Sequence, residues 1–302
     1  MDLKEAERLL DGADPTVGAA ALRALAEGGQ PRAMLQLANR LWTGRAFAKD
    51  AREGEAWLRR AVALADPRAM LSLGQRLLYG MGLPSDPAEG EVWLARAAEA
   101  GFAPAQQAYA EHLFESGRDG AAWLERAAEA EHPPAMAAWG EFTHDDGWLE
   151  RAAARGSGRA MGLLGERNPD PVQARPLLAA ALARGEVHFG LVLGLAHYQA
   201  GEYAEAVQVF ERCRTMGAPG AAVNLAYMAR RNEWPAEVPR PDPLALLADL
   251  TDAQARINRA LCQPARAREH LQGVGPQDLG WWQALAARGD NEGQQVVSWL
   301  ST

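Results

Sequence analysis

Cysteine is nearly missing from this chain: Cys213 and Cys262 are the only two in 302 residues. Two cysteines cannot build the disulfide framework on which small secreted folds depend. Isoleucine is scarcer still, with Ile257 alone, and the apolar set is dominated by alanine and leucine. Sheets favour β-branched residues, so this bias argues for helix over strand. Positive charge is also in deficit: 31 Lys and Arg stand against 39 Asp and Glu, a formal net charge of -8. That excludes a typical nucleic-acid surface, whose affinity comes from cations neutralising phosphates, and gives no attraction to an anionic membrane. No run approaches the ~18 apolar residues of a membrane span. The N-terminal Met1-Asp2-Leu3-Lys4-Glu5 is charged and has no apolar signal segment, so a cytoplasmic address is expected. What remains is a chain that is 48% hydrophobic, enough to bury a sizeable core.

The organisation shows in an internal repeat. A Trp-Leu pair recurs at Trp57-Leu58, Trp93-Leu94, Trp123-Leu124 and Trp148-Leu149. Twelve residues after each Trp stands an alanine (Ala69, Ala105, Ala135, Ala160). Sixteen after stands a bulky apolar residue (Leu73, Tyr109, Trp139, Leu164), and seventeen after stands Gly or Ala (Gly74, Ala110, Gly140, Gly165). Weaker anchors at Ala21-Leu22, Leu177-Leu178 and Val209-Phe210 extend the register, with spacings of 36, 36, 30, 25, 29 and 32 residues from Ala21 to Val209. Two further copies, around Leu244 and from Trp281, are degenerate. Each unit divides into a helix A that starts at the alanine, with its core stripe at +0, +4, +5 and +8, and a helix B that carries the Trp. Asp86 and Pro87 suit a helix start, Gly101 a helix end. Glycine at +5 costs about 1 kcal/mol inside a helix, so a close approach of helix A to helix B must offset it. One pair cannot bury its own stripe; neighbours must stack. The fold class expected is all-α, a right-handed α/α superhelical solenoid of helix-turn-helix repeats. The domains expected are a solenoid of about seven repeats over 1–231, a proline-rich linker or loop over 232–243 with four prolines, and degenerate repeats and a cap over 244–302.

The residues Leu73-Gly74, Gly80-Met81-Gly82-Leu83, Asp86, Gly90 and Trp93 resemble the Sel-one-like repeat (SLR), a relative of the tetratricopeptide repeat. Gly44-Arg45-Ala46-Phe47 with Asp50, Gly54 and Trp57 is similar, with Leu41 and Leu77 in place of the usual aromatic. The stretch from Leu193 to Ala206 looks more like a tetratricopeptide unit. The likeness covers 20–230 well and 240–300 poorly, and the copies around Trp139 and Leu164 have lost most of the loop. It implies a bacterial adaptor or scaffold that binds a peptide or protein in a concave groove lined by the A helices. Some members are immunity proteins to secreted toxins, which gives the alternative reading. Others are discussed as β-lactamase-like.

If the stripe is core, positions +3, +6 and +7 of helix A face away from it. They are Gln36, Asn39, Arg40, Ser72, Gln75 and Arg76 in the first units. Glu111, His112, Glu141, Phe142 and Glu166 follow in the middle, then Val192, Leu195, Asn224, Tyr227 and Met228. This face runs from polar-basic through acidic to apolar and is the candidate partner surface. Signals for catalysis are weak. None of the six histidines forms His-Glu-x-x-His; there is no Gly-x-Ser-x-Gly, Ser-x-x-Lys or phosphate-binding glycine loop. His144-Asp145-Asp146 could hold a metal ion, but helix capping is the better reading, and Glu141 with Glu166 reads as a surface feature rather than an acid/base pair. No cofactor or metal is expected. Trp57, Trp93, Trp123 and Trp148 are expected in the core, as is Trp139. Trp281-Trp282 is a candidate to seal the last unit or to make a homodimer contact through the C-terminal region.

Overall fold

The computed structural model describes residues 1–12, 14–287 and 290–301, and every regular element among them is helical. Contacts divide the chain into two compact units, Met1–Arg155 and Gly156–Thr302. The first holds α1 (Leu3–Leu10), α2 (Pro15–Glu27), α3 (Pro31–Thr43), α4 (Ala51–Ala63), α5 (Pro67–Tyr79), α6 (Pro87–Glu99), α7 (Ala103–Glu115), α8 (Ala121–Glu129), α9 (Pro133–Thr143) and α10 (Asp146–Ala154). The second holds α11 (Gly158–Arg167), α12 (Pro171–Ala183), α13 (Val187–Gln199), α14 (Tyr203–Thr215), α15 (Pro219–Arg230), α16 (Pro243–Leu247), α17 (Ala253–Cys262), α18 (Ala267–His270), α19 (Gly280–Ala287) and α20 (Asn291–Ser301). Two short 3-10 turns flank α18. Helix A of the repeat is the odd-numbered member of each pair from α3 to α14, and helix B the even one.

Local chemistry sets the helix starts. Asp50, Asp66 and Asp86 each accept a backbone N–H of the first turn, from Glu53 (2.9 Å), Ala69 (3.0 Å) and Glu89 (3.0 Å), and proline opens α5 and α6. Gly101 sits at φ +78° just past α6, as the sequence suggests. The expected stripe is buried: Ala33, Leu37, Ala38 and Leu41 in α3, and Ala69, Leu73, Gly74 and Leu77 in α5. The reason for glycine at +5 is visible at the α5–α6 crossing. A Cβ on Gly74 would stand 2.9 Å from the Gly90 carbonyl oxygen, and one on Gly90 would stand 2.8 Å from the Leu78 nitrogen. The two backbones meet where side chains would otherwise be.

The tryptophans depart from expectation. The leucine of each pair is the core residue, with Leu58, Leu94, Leu124 and Leu149 all buried. Trp57 is buried too, but Trp93, Trp123 and Trp148 are half-buried at the edge. There the arginine three residues on lies over each ring: Arg60, Arg96, Arg126 and Arg151, with guanidinium carbons 4.3, 4.8, 4.8 and 4.3 Å from the centroids. In two units a glutamate one turn earlier completes a latch. Glu53 accepts the Trp57 indole N–H (3.1 Å) and the Arg23 guanidinium of α2 (2.6 Å). Glu89 accepts the Trp93 indole (3.0 Å) and Arg59 of α4 (3.0 Å). Successive B helices are thereby stitched together. Trp139 is likewise only half-buried.

In the second unit the chain from Arg231 to Asp242 is non-helical, in keeping with its prolines. The degenerate segment after it does not stand apart: α16 and α17 pack on α15, and Trp282 of α19 is fully buried against Tyr227 of α15. The Trp282 indole donates to Gln254 Oε1 (2.9 Å), so this residue seals its own chain and is not free for a dimer contact. The side chain of Trp281 lies outside the described residues. Cys213 is buried and Cys262 half-buried.

Two outcomes test these packing arguments. Gly90→Ala should destabilise the chain by about 2 kcal/mol in urea unfolding, because overpacking outweighs the ~1 kcal/mol of helix propensity gained. A neutral or stabilising result would show that α5 and α6 can part at little cost. The latches predict a pH dependence. The Arg23 guanidinium, then the Trp57 indole, hold the Glu53 carboxyl below its ordinary value of 4.5; Arg59 and Trp93 do the same to Glu89. A carboxyl lowered in the folded state stabilises it above the ordinary value and ceases to as pH falls through the folded value. Tm should therefore drop below about pH 4.5, and the Glu53→Gln/Glu89→Gln double variant should show a shallower drop.

Candidate functional site

The candidate residues of the first unit lie on α3, α5, α7 and α9, which contact one another in sequence. Several are already occupied. The Arg40 guanidinium makes a two-pronged ion pair with Asp11 (2.7 and 2.9 Å). Arg76 lies 3.6 Å over the Trp42 ring and donates to Met81 O (2.8 Å) and Asn39 Oδ1 (3.1 Å). Burial pulls the Arg76 pKa down. His112 is turned to Glu91 of α6 (3.3 Å), which also takes both arms of Arg118, and its side chain is 14% exposed. Gln36, Ser72 and Gln75 are half-buried.

The open part of this face lies further along, and it is aromatic. Phe142 is 54% exposed and Phe114 37%. Their rings stack at 5.6 Å, and Trp139 stacks on the other side of Phe142 at 5.6 Å. The register explains why. Phe114 holds position +9 of α7, as Trp42 does of α3; Phe142 holds +7 of α9, as Arg76 does of α5. Each +7 side chain lies over the +9 ring of the repeat before it. After α5 the connection, residues 80–86, also covers the ring: a Cβ on Gly82 would come within 3.2 Å of Trp42. The α9–α10 connection is residues 144 and 145 alone, and no such cover exists for Phe114. Carboxylates fringe the aromatic row. Glu111 accepts from Gln107 (2.8 Å), Glu115 from the exposed Tyr79 hydroxyl (3.3 Å), and Glu141 stands beside Phe142 in α9. Phe114, Tyr79 and Glu115 fall at +9 and +10, outside the +3, +6 and +7 positions; the signal that could have found them is the shortening of the loop.

Glu166, Val192, Leu195, Asn224, Tyr227 and Met228 belong to the second unit. Tyr227 and Met228 require a correction: they are 9% and 1% exposed, because α16 and α17 cover the outer face of α15. Tyr227 meets Ile257 and Trp282, and Met228 the α14 core. Glu166 approaches His188 (3.4 Å). Beneath the cover a cavity of about 300 Å³ remains, lined by Leu195 and Tyr198 of α13, Phe210 of α14, Val223, Asn224, Tyr227 and Met228 of α15, and Gln254 and Asn258 of α17. The Tyr198 hydroxyl donates to Glu233 (2.6 Å), and burial foremost, then this carboxylate, pushes its pKa up. Gln254 and Asn258 lie in the degenerate copy around Leu244, in which the sequence pattern marks no candidate residue.

Asp145 caps α10 by accepting from Gly147 N (2.9 Å), and His144 closes α9 at φ +55°. Among the described residues no three His, Cys, Asp or Glu side chains are grouped to hold a metal ion, and no helix is long and apolar enough to cross a membrane.

No family model matches the chain, and no curated protein matches it. Solved structures do resemble it, two of them as follows. One is a protective antigen present in uropathogenic Escherichia coli strains and displaying an SLR fold, 22% identical, with a TM-score of 0.61 over 91% of this chain and 65% of that one. The other is a Sel1 repeat protein from Oxalobacter formigenes, 16% identical, with a TM-score of 0.52 over 87% of this chain and 100% of that one. The chain thus spans 65% of the length of the first. The likeness is one of fold: the chain is an all-α repeat solenoid with the fold of these two repeat structures.

The occupied residues yield a test that separates packing from binding. Arg76→Ala removes a stacked cation and two hydrogen bonds and should cost about 2 kcal/mol in urea unfolding. Ser72→Ala and Gln75→Ala should stay within about 0.5 kcal/mol of the parent. Equal losses at all three positions would refute the structural assignment of Arg76.

Proposed function

We propose that the chain is a protein-interaction scaffold and that its first unit holds a partner on the face of α7 and α9. The Trp139–Phe142–Phe114 row is the apolar anchor, and Glu111, Glu115 and Glu141 select a partner segment that carries Lys or Arg beside an apolar side chain. The observation that carries the reading is the pair of exposed, mutually stacked phenylalanines. Large apolar groups gathered on a soluble surface mark contact sites more often than isolated ones do. Phe114 also occupies the +9 register position that a loop covers at Trp42. Aromatic side chains supply much of the energy of protein contacts, and a fringe of one charge sign governs partner choice and association rate. Repeat solenoids present such extended surfaces without needing a catalytic centre.

The experiment is capture from a lysate of the source cells on the immobilised chain, identification of the retained protein, and measurement of its Kd for parent and variants. Phe114→Ala/Phe142→Ala should weaken binding by tenfold or more at unchanged Tm, since both rings are substantially exposed. Glu111→Lys/Glu115→Lys/Glu141→Lys should slow association and remove the salt dependence of the rate. The same partner bound with unchanged Kd by both variants would refute the reading.

A further inference from the structure

The geometry points to a second, separate binding site: the cavity among α13, α14, α15 and α17 takes an uncharged aromatic group that carries one hydrogen-bond donor, of the indole kind. The inference does not rest on the surface of the first unit. Its grounds are the walls. Leu195, Tyr198, Phe210, Val223, Tyr227 and Met228 present apolar and aromatic surface, and no lining side chain is charged. A charged ligand would lose its hydration there with nothing to replace it. The aromatic residues meet edge to face, with Tyr198 and Tyr227 centroids 6.0 Å apart, an arrangement that accepts a further ring. A volume of about 300 Å³ lies at the small end of ligand pockets and suits a bicyclic ring rather than a peptide segment.

The donor follows from the carboxamides on the wall. Both ends of the Gln254 amide are engaged: its Oε1 accepts from Trp282 (2.9 Å), and its Nε2 donates to Asp278 O (3.0 Å). Asn258, 2% exposed, donates from Nδ2 to Gln254 O (3.0 Å), but its Oδ1 has no partner. A buried acceptor left unpaired is a cost that native interiors rarely carry. Asn224 also lines the cavity and has no hydrogen-bond partner among the described residues. The cavity therefore offers an acceptor that lacks a donor, beside a second free amide, within apolar walls. An indole has two aromatic rings, one N–H donor and no acceptor. The inferred site pairs that donor with the Asn258 oxygen, which no protein donor reaches. Leu195, 42% exposed, forms the rim through which the ring would enter.

The test uses the full chain and two probes of nearly one shape, indole and 1-methylindole, followed by ligand-observed NMR. Indole should bind saturably with a Kd on the order of 0.1 to 1 mM, as befits so small a ligand. 1-Methylindole, which lacks the donor, should bind about tenfold more weakly. In Asn258→Leu the two probes should bind equally; that ratio is read within one folded variant, so a change in overall stability does not mimic it. Leu195→Trp, at an exposed position, should block both. N-Acetyltryptophanamide separates the sources of the ring: binding at least as tight as indole assigns it to a partner's side chain, weaker binding to a free small molecule. Absence of saturable indole binding, equal affinity for both probes in the parent, or undiminished binding in Leu195→Trp would overturn the inference.

Discussion

Everything in this fold depends on how closely helix A can approach helix B. At the α5–α6 crossing the backbones of Gly74 and Gly90 come near enough that neither could carry a Cβ without displacing its neighbour. That proximity lets a stripe only four residues wide, with alanine and glycine in half its places, bury the leucines completely. Interiors are close-packed, so a short interaxial distance substitutes for large side chains. It also explains the composition: an alanine-rich chain with a single isoleucine can form a dense core only if its helices touch backbone to backbone.

Given that contact, the side chains outside the stripe are released from the core and do other work. The tryptophan of helix B is the clearest case. Its recurrence in register reads as core, because a pattern that repeats every turn of the array usually marks burial. Yet recurrence marks any role that each unit repeats, and here the role of Trp93, Trp123 and Trp148 is to lie half-buried under an arginine three residues on. The leucine beside each tryptophan is the buried one. One i,i+3 pair of the motif, Trp and Arg, was thus present in the sequence all along; only the burial of the partner distinguishes a latch from a core position.

The repeat, the caps and the purpose of glycine at +5 were legible because each follows from local spacing; the starts of the A helices were not, since α3 and α5 begin two residues before the register alanine, at Pro31 and Pro67. The coverage of α15 was not. Tyr227 and Met228 occupy positions that face outward in a regular repeat, and nothing nearby in the chain shows that α16 and α17 return to bury them. The same return builds the cavity, using Gln254 and Asn258 from a segment whose register is degenerate. Long-range packing of a degenerate end is invisible to periodicity, and that is why this site could not be read in advance. In the first unit the opposite error occurred: Arg40, Arg76 and His112 sit at outward positions but are satisfied by Asp11, Trp42 and Glu91. Position predicts direction; it does not predict partners.

Loop length decides which of these surfaces stays open. Residues 80–86 close over the +9 ring of Trp42, and Arg76 at +7 locks the cover by bonding to the loop carbonyl of Met81. When the connection shrinks to residues 144 and 145, the cover is lost, and with it the loop carbonyl that Arg76 uses in the earlier repeat. Phenylalanine at that position keeps the stacking on the +9 ring while dispensing with the hydrogen bonds. The exchange of Trp–Arg for Phe–Phe thus accompanies the loss of the loop, and its result is a pair of stacked, exposed rings. A repeat protein can gain a contact surface in this way without altering its core, by removing a few residues from a turn.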